Sequence, residues 1–162
     1  MENQMLPDDF KEFLKLLNAR TVDYLLISGY AVGYHGYPRT TADLDVWVAI
    51  SAENAEKLVS VCKEFGMLSN ELDTDLFVNP GNIVRMGMAP VRIEVLNEID
   101  GVEFKDCFAR RSSVEIDGVG VNLISLADLR ANKLASGRHK DLDDIEHLPE
   151  KQSQRYNNGS EK

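Results

Sequence analysis

Two aspartates stand two positions apart at the start of the most regular strand-like pattern in the chain. Positions 43–50 predict a strand whose side chains point to opposite faces in turn. Asp43 and Asp45 then share one face, and the alternate apolar residues up to Ile50 share the core-facing side. Carboxylates this close raise each other's pKa, and a divalent cation bound between them removes the repulsion. Two aspartates together with phosphate oxygens are typical ligands of Mg²⁺.

A third acid lies in a later strand-like segment, Val91–Leu96, which is otherwise largely apolar. If this strand lies beside the first, Glu94 completes a cluster of three carboxylates. Such a cluster holds two metal ions and aligns an attacking oxygen with a leaving pyrophosphate. Glu94 is then also a candidate to take the proton of the attacking hydroxyl. The alternative for all three acids is a solvent-exposed strand, with no role in catalysis.

Upstream of the aspartates, a strand, a Ser-Gly pair and a short helix follow one another. The apolar run Tyr24–Ile27 predicts the strand, and positions 30–35 predict the helix. Gly29 allows the backbone to approach a ligand, and Ser28 adds a hydroxyl donor, which together suit a phosphate group. Taken alone, the pair is better explained as a plain strand-to-helix turn.

Two basic residues are candidates to neutralise phosphate charge. Arg39 lies in the loop that leads to the aspartates, where it can contact phosphate or pair with Asp43. Lys133 falls on the apolar stripe of a predicted helix, where lysines are rare unless they are paired. Its partner is either a triphosphate or, in the alternative, solvent reached along its own stem. Asp141 is a candidate partner for either cation, or simply an acid at a helix start.

Thirteen residues separate Ser28-Gly29 from Asp43-Leu44-Asp45. In this order and spacing the chain resembles the polymerase-β-like nucleotidyltransferases. The closest resemblance is to minimal bacterial members related to AbiEii-type toxins. It is carried by Ser28-Gly29-Tyr30-Ala31, by Arg39-Thr40-Thr41-Ala42-Asp43-Leu44-Asp45, and by Lys133 with Gly137-Arg138-His139-Lys140-Asp141. The resemblance covers positions 25–148, but Ser28 replaces the usual first glycine and Glu94 replaces a common aspartate.

The resemblance implies transfer of a nucleoside monophosphate from a nucleoside triphosphate, bound with Mg²⁺ or Mn²⁺, to a hydroxyl group. It assigns metal binding and catalysis to Asp43, Asp45 and Glu94. It assigns nucleotide binding to Ser28, Gly29, Arg39 and Lys133. The acceptor it implies is a tRNA, a protein or a small molecule. By analogy alone, the protein can be a toxin that works with an antitoxin partner.

The segments that carry these residues predict an α+β fold, in which helices flank a mixed β-sheet. Further helices are predicted at 8–17, 51–64, 104–111, 126–136 and 139–148, further strands at 76–78 and 83–86, and a hairpin at 114–121. Gly66 is expected to end the second of these helices, and Asp117-Gly118 to form the hairpin turn.

Length and composition limit the classes of protein that fit. A chain of 162 residues suits one domain, expected at 1–148, followed by a polar tail at 149–162 that we expect to be disordered. The net charge of −9 argues against non-specific nucleic-acid binding as the main function. No membrane span or secretory signal is recognisable, so a cytoplasmic protein is expected. The two cysteines are too far apart in sequence for a zinc motif.

A second interpretation comes from a different class of protein. The fold can persist as a binding module or antitoxin-like partner that no longer catalyses. Ser28 and the small size of the chain favour this interpretation, whereas the three acids oppose it. Tyr34, Tyr37 and Trp47 are candidates to stack on a base, although aromatic residues near a core more often pack.

Overall fold

The computed structural model describes residues 5–38, 41–88 and 91–151, which contain seven helices and six strands. The helices are α1 (Asp8–Ala19), α2 (Ser28–Tyr34), α3 (Ala52–Phe65), α4 (Asp75–Val78), α5 (Phe104–Ala109), α6 (Leu126–Ser136) and α7 (His139–His147). The strands are β1 (Tyr24–Ile27), β2 (Asp43–Val48), β3 (Ile83–Met88), β4 (Val91–Leu96), β5 (Ser112–Ile116) and β6 (Val119–Leu123).

A single mixed sheet organises these elements, with the strand order β3-β4-β2-β1-β6-β5. Strand β2 pairs antiparallel with β1 and parallel with β4. Strand β1 pairs parallel with β6, and the hairpins β3-β4 and β5-β6 form the two edges. The predicted α+β class, a mixed sheet flanked by helices, is confirmed.

Both faces of the central strands are covered. All four residues of β1 are buried, and Leu44 and Val46 of β2 are fully buried. Trp47, on the opposite face of β2, is also buried and meets Phe104 of α5 edge-on, with ring centroids 5.1 Å apart. The predicted inward position of Ile50 is wrong: β2 ends at Val48, and Ile50 is 44% exposed.

Local signals set several element ends where the sequence predicted them. Gly66 ends α3 in the left-handed conformation, with φ of 114°. The Ser125 side chain accepts a hydrogen bond from the Asp128 backbone N–H at the start of α6. Asp117 and Gly118 both have positive φ in the β5-β6 turn, as a type I′ turn requires.

One predicted element has the wrong type. The apolar run at 76–78 was expected to be a strand, but Asp75–Val78 is a single helical turn, α4. The Asp73 carboxylate accepts a hydrogen bond from the Asp75 backbone N–H, and Phe77 is buried. A three-residue apolar run has no period that distinguishes a strand from one buried turn of helix.

The described residues leave some predictions untested. Most of the expected disordered tail lies outside them, at 152–162, and so does Arg39. The boundary between a domain and a tail near position 148 therefore stays a prediction. Among the described residues, no helix combines the length and the apolar character needed to cross a membrane.

Candidate active site

The three predicted acids lie on one face of the sheet. In the parallel β2-β4 pair, Asp45 is opposite Glu94 and Asp43 is opposite Arg92. Partners in register point to the same face, so this pairing brings Asp43, Asp45 and Glu94 together. They line a pocket of about 340 Å³ that we call the carboxylate pocket. Its lining is Ser28, Gly29, Thr41, Ala42, Asp43, Asp45, Glu94, Lys133, Arg138, Lys140 and Asp141.

Ser28 connects the end of β1 to this pocket. Ile27 is opposite Asp45 in the β1-β2 pair, and the next residue, Ser28, hydrogen-bonds the Asp45 carboxylate. The Ser28 backbone has φ of 62°, a left-handed conformation that costs a non-glycine residue about 1 kcal/mol. A glycine would adopt this conformation without strain but could not make the hydrogen bond.

Gly29 allows a close approach between α2 and the loop that leads into β2. A Cβ atom at Gly29 would lie 2.4 Å from Thr41 Oγ1 and 2.7 Å from Thr41 Cβ. The Thr41 hydroxyl in turn donates to the Asp43 carbonyl oxygen at 3.3 Å. Gly29 therefore makes room for Thr41 in the loop before Asp43, in addition to lining the pocket.

Asp45 has the most perturbed carboxyl group of the site. Burial raises its pKa from 3.8 to about 6, with smaller contributions from the neighbouring charges of Glu94 and Asp43. The hydrogen bond from Ser28 and the charge of Lys140 act in the opposite direction. Asp45 Oδ1 is buried and has no hydrogen-bond partner among the described residues. A cation against this oxygen would supply the missing partner and relieve the repulsion.

Two arginines contact the outer acids of the site. Arg85 Nε donates to Glu94 Oε2 at 2.8 Å, across the β3-β4 pair. Arg92 Nε lies 3.8 Å from Asp43 Oδ1. In this arrangement, no three His, Cys, Asp or Glu side chains of the described chain are grouped closely enough to bind a metal ion. Asp45 Oδ1 has no partner among the described residues, whereas one carboxylate oxygen of Glu94 is engaged by Arg85.

Lys133 is buried between two aspartates. It is 4% exposed, and its Nζ lies 3.1 Å from Asp141 Oδ1 and 3.0 Å from Asp144 Oδ2. Burial alone would raise the pKa of Asp141, but hydrogen bonds from Ser136, Arg138 and the lysine outweigh it and lower that pKa to about 2. The two ion pairs use two of the three N–H donors of Lys133, which leaves one donor for a further partner.

Arg138 and Lys140 are pocket residues that the sequence analysis did not select. Both stand at the start of α7 and line the carboxylate pocket. The Asp45 charge raises the pKa of Arg138 slightly, after the larger effects of its hydrogen bond and ion pair with Asp141. Cations are unfavourable at a helix N-terminus, so two basic residues there were a usable signal of a nearby anion.

Asp144 was also missed. It is buried and lies three positions after Asp141, on the same side of α7. The helical spacing of two acids opposite an inward-facing lysine was the available signal. Arg39 lies outside the described residues, so its predicted role as a phosphate ligand stays a prediction.

A sequence profile for a protein family described as nucleotidyl transferase of unknown function (DUF2204) matches residues 7–159. The chain belongs to this family. The carboxylate pocket is therefore a pocket of a member of a nucleotidyltransferase family. No curated protein matches the chain significantly.

Solved structures share the fold of this DUF2204 member at low sequence identity. A Thermotoga maritima protein provisionally assigned as a nucleotidyltransferase has a TM-score of 0.59 and 15% identity, covering 89% of this chain and 94% of its own. The lincomycin-bound lincosamide antibiotic adenylyltransferase LnuA has a TM-score of 0.55 and 15% identity, covering 90% and 98%. The antibiotic-resistance factor ANT(2'')-Ia has a TM-score of 0.54 and 10% identity, covering 85% and 79%. These likenesses show the nucleotidyltransferase fold. They do not show the expected relationship to AbiEii-type toxins.

The aromatic candidates for base stacking are engaged elsewhere in this DUF2204 fold. Trp47 packs on Phe104, and Tyr37 stacks on His147 with ring centroids 4.1 Å apart. Neither Trp47 nor Tyr37 lines the carboxylate pocket, and the same is true of Tyr34.

Proposed function

We propose that this DUF2204 member transfers a nucleoside monophosphate from a metal-bound nucleoside triphosphate to a hydroxyl group. The proposal depends on one observation above all. A mostly buried Asp45, with a raised pKa and an oxygen that has no hydrogen-bond partner among the described residues, lies beside two further acids and faces basic residues at the start of α7. Such a site suits a cation that is shared with an anionic ligand. Family membership and the shared fold support the same function.

Asp43 and Asp45 are the proposed cation ligands, since Asp45 Oδ1 has no other partner among the described residues. Bound Mg²⁺ or Mn²⁺ supplies positive charge against the phosphates and the leaving pyrophosphate. Glu94, which accepts a hydrogen bond from Arg85 at 2.8 Å, would be the third ligand.

The basic side of the pocket is proposed to bind the phosphate chain. Arg138 and Lys140 line it directly, and Lys133 has one N–H donor beyond its two ion pairs. Ser28 and Gly29 line the same pocket from α2. Arg39, which lies outside the described residues, keeps its proposed role. Asp141 acts on Lys133 and Arg138 by holding both in place.

The transfer makes and breaks one bond at phosphorus. The acceptor oxygen bonds to the α-phosphorus while the bond from that phosphorus to the bridging oxygen breaks, and pyrophosphate leaves with the electron pair. The hydroxyl proton must pass to a base. Glu94 is our candidate because it lines the same pocket and lies directly opposite Asp45 in register.

The acceptor is proposed to be a hydroxyl of a tRNA, a protein or a small molecule. LnuA, described as an antibiotic adenylyltransferase, favours the small molecule among these. Action as a toxin with an antitoxin partner is a further proposal that depends on analogy alone.

A catalytically inactive binding or partner protein is the second candidate. The contacts Arg85–Glu94 and Arg92–Asp43 favour it, because two acids already have basic partners without any metal ion. In that case nucleotide can bind, but no transfer occurs.

The deciding experiment compares wild type with Asp43→Ala/Asp45→Ala. Thermal shift with ATP, CTP, GTP and UTP, with and without Mg²⁺, measures binding. Labelled triphosphate is then incubated with total tRNA, cell lysate and a panel of small alcohols. We expect Mg²⁺-dependent binding and label transfer in wild type only. Glu56→Ala/Glu115→Ala, which removes two exposed acids outside the pocket, should behave as wild type. Equal results for wild type and the aspartate variant would exclude catalysis at this site.

A further inference from the structure

A second and larger pocket opens on the carboxylate face of the sheet, at the other end of β2. Its volume is about 620 Å³, within the roughly 300–1,000 Å³ range of small-molecule sites. We call it the aromatic pocket. Residues that define it are Asp23, Trp47, Glu98, Glu103, Phe104 and Phe108.

Rings form the wall of the aromatic pocket. Trp47 meets Phe104 edge-on at 5.1 Å, and Phe104 stacks on Phe108 at 5.3 Å between ring centroids. The indole Nε1 of Trp47 is buried and has no hydrogen-bond partner among the described residues. A buried donor without a partner costs about 1–3 kcal/mol, so a ligand oxygen or nitrogen that reached it would bind favourably. This wall suits an apolar or ring-shaped body with polar substituents.

The described lining of the aromatic pocket carries a net negative charge. Asp23, Glu98 and Glu103 are exposed, and none forms a salt bridge with a described residue. Among the described residues, Lys105 is the single basic residue of the lining. Three acids against one lysine beside aromatic rings favour an organic cation over a neutral or anionic ligand.

The position of Trp47 relates this pocket to the chemistry. Trp47 follows Asp45 by two positions on the same face of β2, about 7 Å along the strand. Its register partner Leu96 likewise follows Glu94. The phosphate-binding cations Arg138 and Lys140 belong to the other pocket. A triphosphate would thus bind on the basic side of the carboxylate pocket and a cationic ligand in the acidic aromatic pocket, with the carboxylates between the two ligands.

We infer that the aromatic pocket binds the acceptor, and that the acceptor is a small organic cation with a ring and a hydroxyl group. The acceptor role rests on the proposed nucleotidyl transfer, whereas cation binding does not. The carboxylates of Glu98 and Glu103 bind the ammonium group, and the rings pack against the apolar body. A hydroxyl on the side of Asp45 faces the triphosphate.

Trp47 provides the assay, because it is the chain's sole tryptophan. Its fluorescence is titrated with 2-amino-1-phenylethanol, which carries a ring, a hydroxyl and an ammonium, and with the neutral N-acetyl derivative. We expect a saturable change with the amine and at least tenfold weaker binding of the derivative. Glu98→Gln/Glu103→Gln should weaken amine binding about tenfold and leave Mg²⁺-ATP binding unchanged. Glu56→Gln/Glu115→Gln is the matched control and should bind as wild type.

The acceptor role is tested with Mg²⁺-ATP and a panel of ring-bearing alcohols that are cationic, neutral or anionic. Mass spectrometry should find the nucleotide on cationic members, and Glu98→Gln/Glu103→Gln should raise their KM about tenfold with little change in kcat. The inference is wrong if the fluorescence change is absent, if the N-acetyl derivative binds as well as the amine, or if neutral or anionic alcohols are preferred. If wild type binds the amine but transfers nucleotide to no alcohol of the panel, the acceptor role is refuted and the result counts against the proposed function.

Discussion

The carboxylate pocket and the aromatic pocket lie on one face of the sheet but compensate their charges differently. In the carboxylate pocket, charged groups pair with one another: Lys133 lies between two buried aspartates, and Glu94 accepts a hydrogen bond from Arg85. In the aromatic pocket, the three acids are exposed and form no salt bridge with described residues.

The two pockets therefore differ in how far their charged residues also stabilise the fold. Charges of the carboxylate pocket belong to the packing of α6, α7 and the central strands, so changing them should alter stability as well as chemistry. Acids of the aromatic pocket lie on exposed positions around α5 and the strand ends, so changing them should alter ligand binding alone. The following substitutions measure this contrast, from the largest expected effect to the smallest.

Lys133→Ala should produce the largest loss of stability. It leaves Asp141 and Asp144 buried without their shared cation, and breaking a buried ion pair in this way costs about 3–5 kcal/mol. Urea denaturation measures the free energy of unfolding. Lys105→Ala, the lysine of the aromatic pocket, is the matched control and should change it by less than about 0.5 kcal/mol. Equal effects of the two substitutions would remove the contrast between the pockets.

The pH dependence of stability should reveal the raised pKa of Asp45. Its pKa is about 6 in the folded chain and 3.8 ordinarily, so the folded chain binds this proton more tightly than the unfolded chain. The free energy of unfolding should therefore fall as pH rises from about 4 to 7, by up to about 3 kcal/mol for two pKa units. Asp45→Asn should remove that fall.

The measurement uses urea unfolding with a chelator present, so that no metal ion occupies the site. Glu98→Gln is the control for an exposed acid of the other pocket, and it should keep the wild-type pH profile. A profile for Asp45→Asn that still matches wild type would show that Asp45 is solvated rather than buried.

Ser28 should show a smaller effect that has two opposing parts. Ser28→Gly relieves the strain of φ at 62° but loses the hydrogen bond to Asp45, so its stability should stay within about 1 kcal/mol of wild type. Ser28→Ala loses the hydrogen bond and keeps the strain. It should be less stable than the glycine variant by about 1 kcal/mol. Thermal unfolding of the three proteins gives this order, and an alanine variant as stable as the glycine variant would show that the backbone is relaxed.

Periodic and capping signals made much of the fold predictable from sequence. Strands β1 and β4 and helix α6 have the predicted bounds, and the hairpin turn lies at Asp117-Gly118 as expected. The acids could be assigned to one face because strand alternation is local information. The turn Asp75–Val78 was misassigned because three residues carry too little period to identify it.

Contacts that depend on strand register could not be predicted from local pattern. Arg85 reaches Glu94 only because β3 pairs antiparallel with β4 in one particular register. The aromatic pocket likewise joins Asp23, Trp47 and Phe104, which are distant in sequence and share no motif. Arg138 and Lys140 could have been predicted, because they lie in the segment 137–141 that carries the family resemblance and because basic residues are unfavourable at the start of a helix.

Glu98→Gln/Glu103→Gln should have the smallest effect on stability of all these changes. Both acids are exposed, and neither forms a salt bridge with a described residue or caps a helix through its side chain. Neutralising them should shift the free energy of unfolding by less than about 0.5 kcal/mol, measured by urea denaturation, while weakening amine binding. Removing two negative charges from a chain of net charge −9 reduces repulsion, so any shift should be towards greater stability. A loss above 1 kcal/mol would mean that these acids support α5, and the aromatic pocket would then be part of the fold in the same sense as the carboxylate pocket.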